Sequence, residues 1–484
     1  MSSDRVVARW RREPLFGPGG RVAVLGLGAS GFAAAKLAAA LGAEVYASDT
    51  GTGPELRGAR EELAGQGITA ELGRHDLDKV LGSDLVVTSP GIPSSAPVRG
   101  AVAGAAVAEV AEVELAFRAL QARVIGVTGT NGKTTVTELT ARVLAGAGIG
   151  APPSGNAGRP LSEVAMTSPQ PPWTVVELSS FQLSGTRDFR CDIGALLNLA
   201  PDHLDAYSTV GDYYRDKARI FGGADPDSRW VINADDNEVC AMAAGVAGES
   251  YVVSLEAHDL PGAYLDQEEM LSYRPAPGSE IEHWGSAGGL RLHGRHNIHN
   301  ALTAGVLARL AGASTSAISR RLASFGGLPH RMAVVGEWEG VQWINDSKAT
   351  NVAAVVAAVR GLERPYCLLL GGRHKGEAYG GLADALGPLC RMVIAYGEAG
   401  RTIESDLGSS RTVLRAGSLA EAVEKARAAT CAGDVVLLSP ACSSYDEFRN
   451  YEARGREFER LARPGGENSA GEERSSPAAA EAVL

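Results

Sequence analysis

The chain has 484 residues, of which 45% are hydrophobic and 21% charged, a globular composition whose length predicts about three domains. Its formal net charge of -11 argues against nucleic acid as a partner, because phosphate backbones attract a surplus of Lys and Arg. Neither a secretory signal nor an apolar run near the ~20 residues of a membrane span is visible, so we expect a cytoplasmic protein without membrane insertion.

Short apolar stretches alternate with helical ones along most of the chain, a pattern typical of parallel α/β sheets. The alternation restarts three times, and each restart is interpreted as a domain. The predicted strands are 21–26 and 45–48 in the first block, 124–128, 175–178 and 194–199 in the second, and 343–344, 366–370, 393–395 and 435–438 in the third. The predicted helices that open the first two blocks are 32–41 and 134–145.

We place the domain boundaries near residues 112 and 326. The predicted domains are 1–112, 113–326 and 327–463, followed by a tail at 464–484 whose Gly, Ser, Glu, Pro and Ala content predicts disorder. Weak periodicity over 248–289 predicts irregular or small β structure there. The six cysteines form no CxxC pair and are interpreted as free thiols.

The first glycine-rich motif, Gly26-Leu27-Gly28-Ala29-Ser30-Gly31, follows a predicted strand and opens a helix. Asp49 ends the next strand, which matches the spacing of a dinucleotide-binding fingerprint. The same geometry would serve any nucleotide diphosphate, because glycines let the backbone approach phosphates at a helix N-terminus. A nicotinamide cofactor and a tight turn without a ligand both remain open on this motif alone.

The second glycine-rich motif, from Gly126 to Thr135, also lies between a strand and a helix. Its backbone N–H groups can hold phosphates while Lys133 neutralises their charge and Thr134 binds Mg²⁺. The stretch does not fit a strict GxxxxGK[ST] pattern, so the loop, TGTNGKTT, is a shorter variant. The predicted ATP-binding residues of this loop are Gly129, Thr130, Asn131, Gly132, Lys133, Thr134 and Thr135. Two phosphate sites together favour an ATP-using enzyme that acts on a nucleotide-linked substrate.

Polar side chains follow two later strands, where ligands collect in α/β sheets. Glu177 and His203 could join Thr134 around Mg²⁺, which needs hard oxygen ligands and tolerates an occasional imidazole. Spacing alone does not distinguish Lys217 from an ordinary solvated lysine. A zinc site at His293, His296 and His299 is a weaker alternative to a helix start with polar groups at Asn297 and Asn300.

These motifs together resemble the Mur ligase family. TGTNGKTT (128–135), ELSSFQL (177–183), PDHLD (201–205) and HNIHN (296–300) occur in the family's order. In the third block, GLPHR (327–331), NDSKATN (345–351) and LSPACSS (438–444) are similar to the members that add D-glutamate to UDP-N-acetylmuramoyl-L-alanine. The resemblance extends from about residue 21 to 463.

The resemblance implies a Rossmann-like UDP-binding domain, a central P-loop ATPase domain and a C-terminal Rossmann-like domain. It implies a monomeric, ADP-forming amide ligase that uses ATP and two Mg²⁺ ions and works through an acyl phosphate, in the cytoplasmic stage of peptidoglycan synthesis. It further implies that Lys217 is carbamylated and serves the second Mg²⁺.

Carried onto this sequence, the family's site residues fall into four groups. The resemblance assigns catalysis to Lys133, Glu177, His203 and Lys217, and metal binding to Thr134, Glu177, His203 and Lys217. It adds to the ATP site Asn297, Asn300, Arg331 and Asp346. It assigns the UDP-linked acceptor to Ala29, Ser30, Asp49, Thr50, Ser89, Pro90, Gly91 and Asn156, and D-glutamate to Lys348, Thr350, Lys375, Ser444 and Tyr451. Tyr451 departs from the family's Phe, and Arg373-His374 make the loop before Lys375 bulkier than the family pattern.

Three other functions are alternatives to this reading. A folylpolyglutamate synthase would share the ATP site, but the NDSKATN and LSPACSS segments disfavour it. A nicotinamide-dependent oxidoreductase would use the Gly26–Gly31 turn for its cofactor. A nucleotide-binding regulator would release phosphate without depending on an amino acid.

Overall fold

The protein is described here from a computed structural model that covers residues 10–204, 206–291 and 294–464. The described residues leave out nearly all of the tail predicted at 464–484. They also leave out the first nine residues, where a secretory signal would begin. Two compact units are present. Unit 1 comprises the described residues up to Leu328 together with Lys375–Glu377, and unit 2 comprises the remaining described residues from Pro329 onward.

The first sheet of unit 1 has five parallel strands in the order β3-β2-β1-β4-β5. Its elements are β1 (Arg21–Leu25), α1 (Ala29–Ala40), β2 (Glu44–Asp49), α2 (Pro54–Gly65), β3 (Thr69–Leu72), α3 (Leu77–Leu81), β4 (Leu85–Thr88), α4 (Pro97–Gly104) and β5 (Glu109–Ala111). The chain runs outward from β1 to β3 and then returns to place β4 on the other side of β1. The strand order therefore reverses between β1 and β4, and the carboxyl ends of these two strands are the expected ligand site.

Helix α5 (Glu112–Ala119) joins the first sheet to the second, which has nine strands in the order β14-β13-β12-β11-β10-β9-β6-β8-β7. The elements from the start of this sheet to its middle are β6 (Arg123–Thr128), α6 (Lys133–Gly146), β7 (Pro153–Gly155), α7 (Leu161–Ala165), β8 (Trp173–Glu177), α8 (Ser180–Ser184), β9 (Ile193–Leu196), α9 (Val210–Ala218) and β10 (Arg229–Asn233). The remaining elements are α10 (Asn237–Ala243), β11 (Glu249–Ser254), β12 (Gly262–Leu265), β13 (Met270–Arg274), β14 (Glu282–Ser286), α11 (Arg295–Leu310) and α12 (Thr315–Ser324).

The stretch 248–289, predicted as irregular or small β structure, contains four strands that continue the second sheet. Strands β11 and β12 pair in parallel, whereas β13 and β14 add antiparallel edges. Each of these strands has only four to six residues and lies between short turns. Such lengths leave little periodicity for a sequence pattern to show.

Unit 2 is built on one six-stranded sheet in the order β15-β16-β20-β17-β18-β19, in which only the β15–β16 pair is antiparallel. Its elements are β15 (Ala333–Trp338), β16 (Val341–Asn345), α13 (Val352–Val359), β17 (Tyr366–Gly371), α14 (Leu382–Ala385), β18 (Cys390–Tyr396), α15 (Gly400–Leu407), β19 (Val413–Arg415), α16 (Leu419–Ala429), β20 (Val435–Leu438) and α17 (Tyr451–Ala462). The predicted α/β class with mostly parallel sheets is confirmed. The boundaries near 112 and 326 stay predictions.

The two sheets of unit 1 share one hydrophobic core around α5. This core contains side chains of the first sheet, such as Val24 and Val87, and of the second, such as Val176. Phe117 of α5 is 1% exposed and lies between them. Within the described residues, no helix is long and apolar enough to cross a membrane.

Candidate functional site

The phosphate loop follows β6 and ends where α6 begins at Lys133. Gly129 and Gly132 have positive φ angles of 152° and 84°, a region that favours glycine. A Cβ atom on Gly129 would lie 2.9 Å from Leu197 Cβ, so the loop also needs glycine for close packing. The Lys133 ammonium donates to the carbonyls of Gly129 and Thr130 at 2.9 and 2.8 Å. The backbone of the loop therefore surrounds the Lys133 ammonium.

Asn198, which the sequence assignment of site residues did not include, holds this loop from the segment that follows the neighbouring strand β9. Its Oδ1 accepts the Asn131 N–H at 2.8 Å, and its Nδ2 donates to the Asn131 carbonyl at 3.1 Å. The Asn198 carbonyl accepts the Thr130 N–H at 2.9 Å. The one signal for this role was its position at the end of a strand that pairs with the strand before the loop.

Glu177 ends β8, next to β6, and its side chain is 1% exposed. Its Oε1 accepts the Asn156 side-chain amide at 2.9 Å, and its carbonyl accepts the Asn156 N–H at the same distance. Its Oε2 is buried and has no hydrogen-bond partner among the described residues. An ionised oxygen in that position is costly unless a cation compensates it, so Glu177 fits a hard cation such as Mg²⁺.

Lys217 lies in the last turn of α9 and is 1% exposed, which excludes the alternative that it is an ordinary solvated lysine. Its Nζ donates to the Gly129 carbonyl at 2.8 Å and lies 4.6 Å from the centre of the Tyr213 ring. Burial and the nearby charge of Lys133 lower the pKa of Lys217 well below its usual value. A buried amine at this place is therefore more easily neutral than an exposed one.

His203 has a positive φ of 56°, an uncommon conformation for a residue with a Cβ atom. Its N–H donates to Asp202 Oδ1 at 2.9 Å, and its Nε2 lies 3.8 Å from Asp202 Oδ2. Its ring packs edge-on against Phe181 at 5.0 Å and lies 6.1 Å from the ring centre of Tyr213. Neighbouring rings and the backbone therefore hold the imidazole in a defined orientation.

The aromatic side chain of Tyr213 connects these groups, although the sequence assignment omitted it. Its hydroxyl donates to Thr130 Oγ1 at 3.3 Å, and its ring faces Lys217. Thr130 Oγ1 in turn donates to the Ala200 carbonyl at 3.1 Å. Tyr213 is 1% exposed, so its contact with the phosphate loop lies in the interior of the unit.

The first glycine motif forms a tight turn between β1 and α1. A Cβ atom on Gly31 would lie 1.7 Å from the Gly26 carbonyl oxygen, so only glycine lets the helix pack this closely. Asp49 accepts the N–H groups of Leu27 and Gly51, both at 2.7 Å. Asp49 therefore ties the glycine turn to the loop after β2. The other predicted acceptor residues at the carboxyl edge of this sheet are Ala29, Ser30, Thr50, Ser89, Pro90 and Gly91.

Helix α11 begins at Arg295, in agreement with the helix start that was preferred to a zinc site here. Asn300 Nδ2 donates to Asn297 Oδ1 at 3.1 Å, and a Cβ on Gly132 would lie 2.5 Å from Asn300 Oδ1. Asn300 therefore borders the phosphate loop.

Among the described residues, no three His, Cys, Asp or Glu side chains are grouped to hold a metal, and His293 lies outside them. A cation at Glu177 would thus need ligands such as Thr134 or bound phosphate as well.

In unit 2, Asp346 follows β16 and is 7% exposed. It accepts the Ser439 hydroxyl at 2.9 Å and the Met332 N–H at 3.2 Å. Burial raises its pKa to about 7, partly opposed by these hydrogen bonds and by Arg331.

The predicted D-glutamate residues of unit 2 lie on two loops and one helix. Lys348 Nζ is 3.8 Å from the centre of the Tyr451 ring at the start of α17, and Ser444 is 3% exposed. Thr350 follows Lys348 on the loop before α13. Lys375 groups with unit 1 instead, where its Nζ donates to Asp202 Oδ1 at 2.6 Å.

Comparisons with known proteins cover most of the chain. Residues 20–111 match the Mur ligase MurD-like N-terminal domain, 127–308 the Mur ligase middle domain, and 330–442 the Mur ligase glutamate ligase domain. A UDP-N-acetylmuramoylalanine–D-glutamate ligase of Anaeromyxobacter dehalogenans is 40% identical over 92% of this chain and 97% of its own. The ligase of the same name from Myxococcus xanthus is 40% identical over 92% of this chain and 98% of its own.

Among solved structures, the UDP-N-acetylmuramate–alanine ligase MurC of Thermotoga maritima aligns with a TM-score of 0.57 and 17% identity. The alignment covers 91% of this chain and 98% of that one, and at this identity it supports the fold alone. The identity with the bacterial relatives, together with the three matching domains, decides the family. The chain belongs to the Mur ligase family.

Proposed function

We propose that the chain is an ATP-dependent ligase that joins D-glutamate to UDP-N-acetylmuramoyl-L-alanine and forms ADP and phosphate. The relatives that share 40% identity with it carry this activity in their names. The observation that carries the proposal is that the phosphate loop at Lys133 and the buried carboxylate of Glu177 lie at the carboxyl ends of two paired strands, β6 and β8. This arrangement suits phosphoryl transfer, which depends mostly on positioning and charge stabilisation.

ATP would bind with its phosphates on the loop N–H groups and on the Lys133 ammonium. Asn297 and Asn300 would lie beside the adenine, with Asn300 also bordering the loop. Arg331 and Asp346 of unit 2 would contact the phosphates and the ribose. Bound phosphates would draw the Lys133 ammonium away from the loop carbonyls that it contacts here.

Mg²⁺ would be held by Glu177, Thr134 and His203, with Lys217 as its carbamate for a second ion. The unpaired Oε2 of Glu177 supports this set, and Mg²⁺ when bound would neutralise charge on the phosphate oxygens. Carbamylation joins a neutral amine to CO₂, and the lowered pKa of Lys217 supplies that neutral form.

The UDP group of the acceptor would bind at the carboxyl edge of the first sheet, on the Gly26–Gly31 turn and the loops at Asp49 and Ser89. Asn156 would contact the muramoyl part, since it hydrogen-bonds Glu177. D-Glutamate would be held by Lys348, Thr350, Ser444 and Tyr451, and also by Lys375. Lysine ammonium groups suit the two carboxylates of this amino acid.

The reaction proceeds in two steps. An oxygen of the alanyl carboxylate attacks the γ-phosphorus of ATP, the bond to the β-phosphate oxygen breaks, and ADP leaves. Lys133 and the loop N–H groups stabilise charge on the transferred oxygens. The D-glutamate amine then attacks the acyl carbon through a tetrahedral intermediate, phosphate leaves, and the nitrogen loses a proton to His203 or to solvent.

Phosphate release tests the proposal when UDP-N-acetylmuramoyl-L-alanine, ATP and Mg²⁺ are combined with a panel of amino acids. D-Glutamate should stimulate release most strongly. Lys133→Ala should lower that release by at least about 100-fold, because the loop loses its cation. Preference for another amino acid, release that ignores amino acids, or hydride transfer with a nicotinamide cofactor would contradict the proposal.

A further inference from the structure

Residues 10–16 lie against helix α5, the helix that joins the two sheets of unit 1. The backbone N–H groups of Arg11 and Arg12 donate to the Arg118 carbonyl at 2.8 and 3.2 Å. Phe16 is 6% exposed and belongs to the shared core, and the Trp10 ring packs edge-on against it at 4.9 Å. Backbone and apolar contacts therefore both attach this segment, which we call the strap.

Arg12 completes the C-terminus of α5. Its Nη1 donates to the carbonyls of Phe117 and Leu120 at 2.6 and 2.8 Å, and its guanidinium lies 3.8 Å from the centre of the Phe117 ring. The last carbonyls of a helix lack partners within the helix, and a cation there interacts favourably with the helix dipole. Arg12 therefore serves as a cap that comes from a different part of the chain.

Arg118 connects the strap to the loop after α8. Its Nη1 donates to the Glu13 carbonyl at 2.9 Å, its Nε donates to Glu114 at 2.9 Å, and its Nη2 pairs with Asp188. The side chains of Arg118 and Glu114 are 6% and 0% exposed. A pair that is buried this deeply needs all its hydrogen bonds, and the strap supplies one of them.

Glu114 links α5 to the second sheet. Its Oε2 accepts the N–H groups of Arg187, Asp188 and Phe189 at 2.9, 3.1 and 2.9 Å. Those three residues follow α8, which itself follows Glu177 at the end of β8. The position of α5 therefore determines where α8 lies relative to the first sheet.

A pocket of about 120 Å³ lies between the parts that α5 joins. Its lining from the first sheet includes Ser89 and Pro90, and its lining from α8 includes Phe181 and Ser184. The Ala111 N–H, just before α5, donates to the Gly185 carbonyl at 2.8 Å at the edge of this pocket. A small rotation of α5 would change the distance between the two walls.

We propose that the strap, residues 10–16, holds α5 in place and so keeps the loop at Ser89, which would bind the acceptor, aligned with α8, with Arg12 as the positioning residue. The identity of the acceptor at this pocket rests on the proposed function. The role of the strap in holding α5 does not depend on it. A loosened α5 would lower the fraction of molecules that are ready to bind the acceptor, and the apparent affinity falls with that fraction.

The test compares Arg12→Ala and Arg12→Lys with Arg60→Ala, an exposed arginine of α2 that serves as the matched control. Arg12→Ala should raise the KM for UDP-N-acetylmuramoyl-L-alanine by about 3- to 10-fold and leave kcat and the KM values for ATP and D-glutamate within about 2-fold. Arg12→Lys keeps a cation at the helix terminus and should restore most of the acceptor KM. Arg60→Ala should match the wild type.

Hydrogen exchange on the protein without ligands gives a second readout. Amides at the C-terminus of α5, around Phe117 to Gln121, should exchange about 10-fold faster in Arg12→Ala than in Arg60→Ala. An unchanged acceptor KM, or equal losses in all kinetic constants, would overturn the positioning role, as would unchanged exchange at α5. If the wild type ligates no D-glutamate, the proposed function fails, and the exchange result alone decides whether the strap holds α5.

Discussion

Lys217 shows how burial changes the chemistry of one residue. Its ammonium would lie in a region without water, next to the cation of Lys133, and both effects lower its pKa. Its hydrogen bond to the Gly129 carbonyl places it at the phosphate loop rather than on the surface of α9. The position of Lys217 in the sequence, among charged and aromatic neighbours on a helix, could not indicate this.

The proposed carbamate makes a specific prediction at this residue. Lys217→Ala should lower D-glutamate-dependent phosphate release by at least about 100-fold, because a carboxylate that holds metal is lost. A short carboxylic acid such as acetate should restore part of the activity by entering the space left by the side chain. Lys133→Ala, which lacks a cation rather than a carboxylate, serves as the control and should not respond to acetate. Failure of the acid to restore Lys217→Ala at an unchanged melting temperature would speak against the carbamate.

At the scale of elements, the turn between β1 and α1 depends on close packing more than on flexibility. Gly31 lies against the Gly26 carbonyl, whereas a Cβ atom on Gly28 would meet nothing within 4 Å. Gly28 has a φ of -64°, which any residue can adopt. The two glycines therefore have different roles in what looks like a single motif.

This difference predicts unequal losses of stability for two alanine substitutions. Gly31→Ala should destabilise the fold by about 2–3 kcal/mol, because its Cβ would overlap the Gly26 carbonyl oxygen and force α1 away from the sheet. Gly28→Ala should cost less than about 1 kcal/mol, since its Cβ would meet nothing within 4 Å and only the weaker preference for Ala at an N-cap position opposes the substitution. Urea denaturation measures both. Equal stability of the two variants would show that α1 can shift without cost.

At the scale of the whole molecule, each unit has its own hydrophobic core. The cores of unit 2 are formed by residues from Met332 to Ala462, and those of unit 1 by residues from Trp10 to Leu328. Regions that have separate cores can unfold as separate cooperative units. Inside unit 1, by contrast, the core around α5 is common to both sheets.

Calorimetry should therefore resolve two unfolding transitions rather than three. Gly31→Ala should lower the midpoint of one transition by several degrees and leave the other in place, because the substitution lies in the core of unit 1 alone. Gly28→Ala is the matched control and should lower that midpoint much less. A single transition with equal calorimetric and van't Hoff enthalpies would contradict the separation into two cooperative units.

Sequence patterns determined the fold class and the family because these depend on local features. A glycine turn between a strand and a helix, or a lysine at the start of α6, needs only near neighbours in the chain to be recognised. The strands at 124–128 and 435–438 were predicted within one residue of β6 and β20 for the same reason. In 248–289 only irregular or small β structure was predicted, without strand bounds, because strands of four to six residues carry little of a pattern.

Tertiary structure alone decided which distant groups meet. Asn198 reaches the phosphate loop across a strand pair, Lys217 is buried against Gly129, and Arg12 caps a helix that lies more than a hundred residues away in the chain. Such contacts depend on the order of strands in a sheet and on core packing, which no local pattern contains. The sequence by itself therefore determined that ATP chemistry is expected at the Gly129–Thr135 loop, and the fold decided which side chains surround that loop, because burial and hydrogen bonding arise only when distant segments pack together.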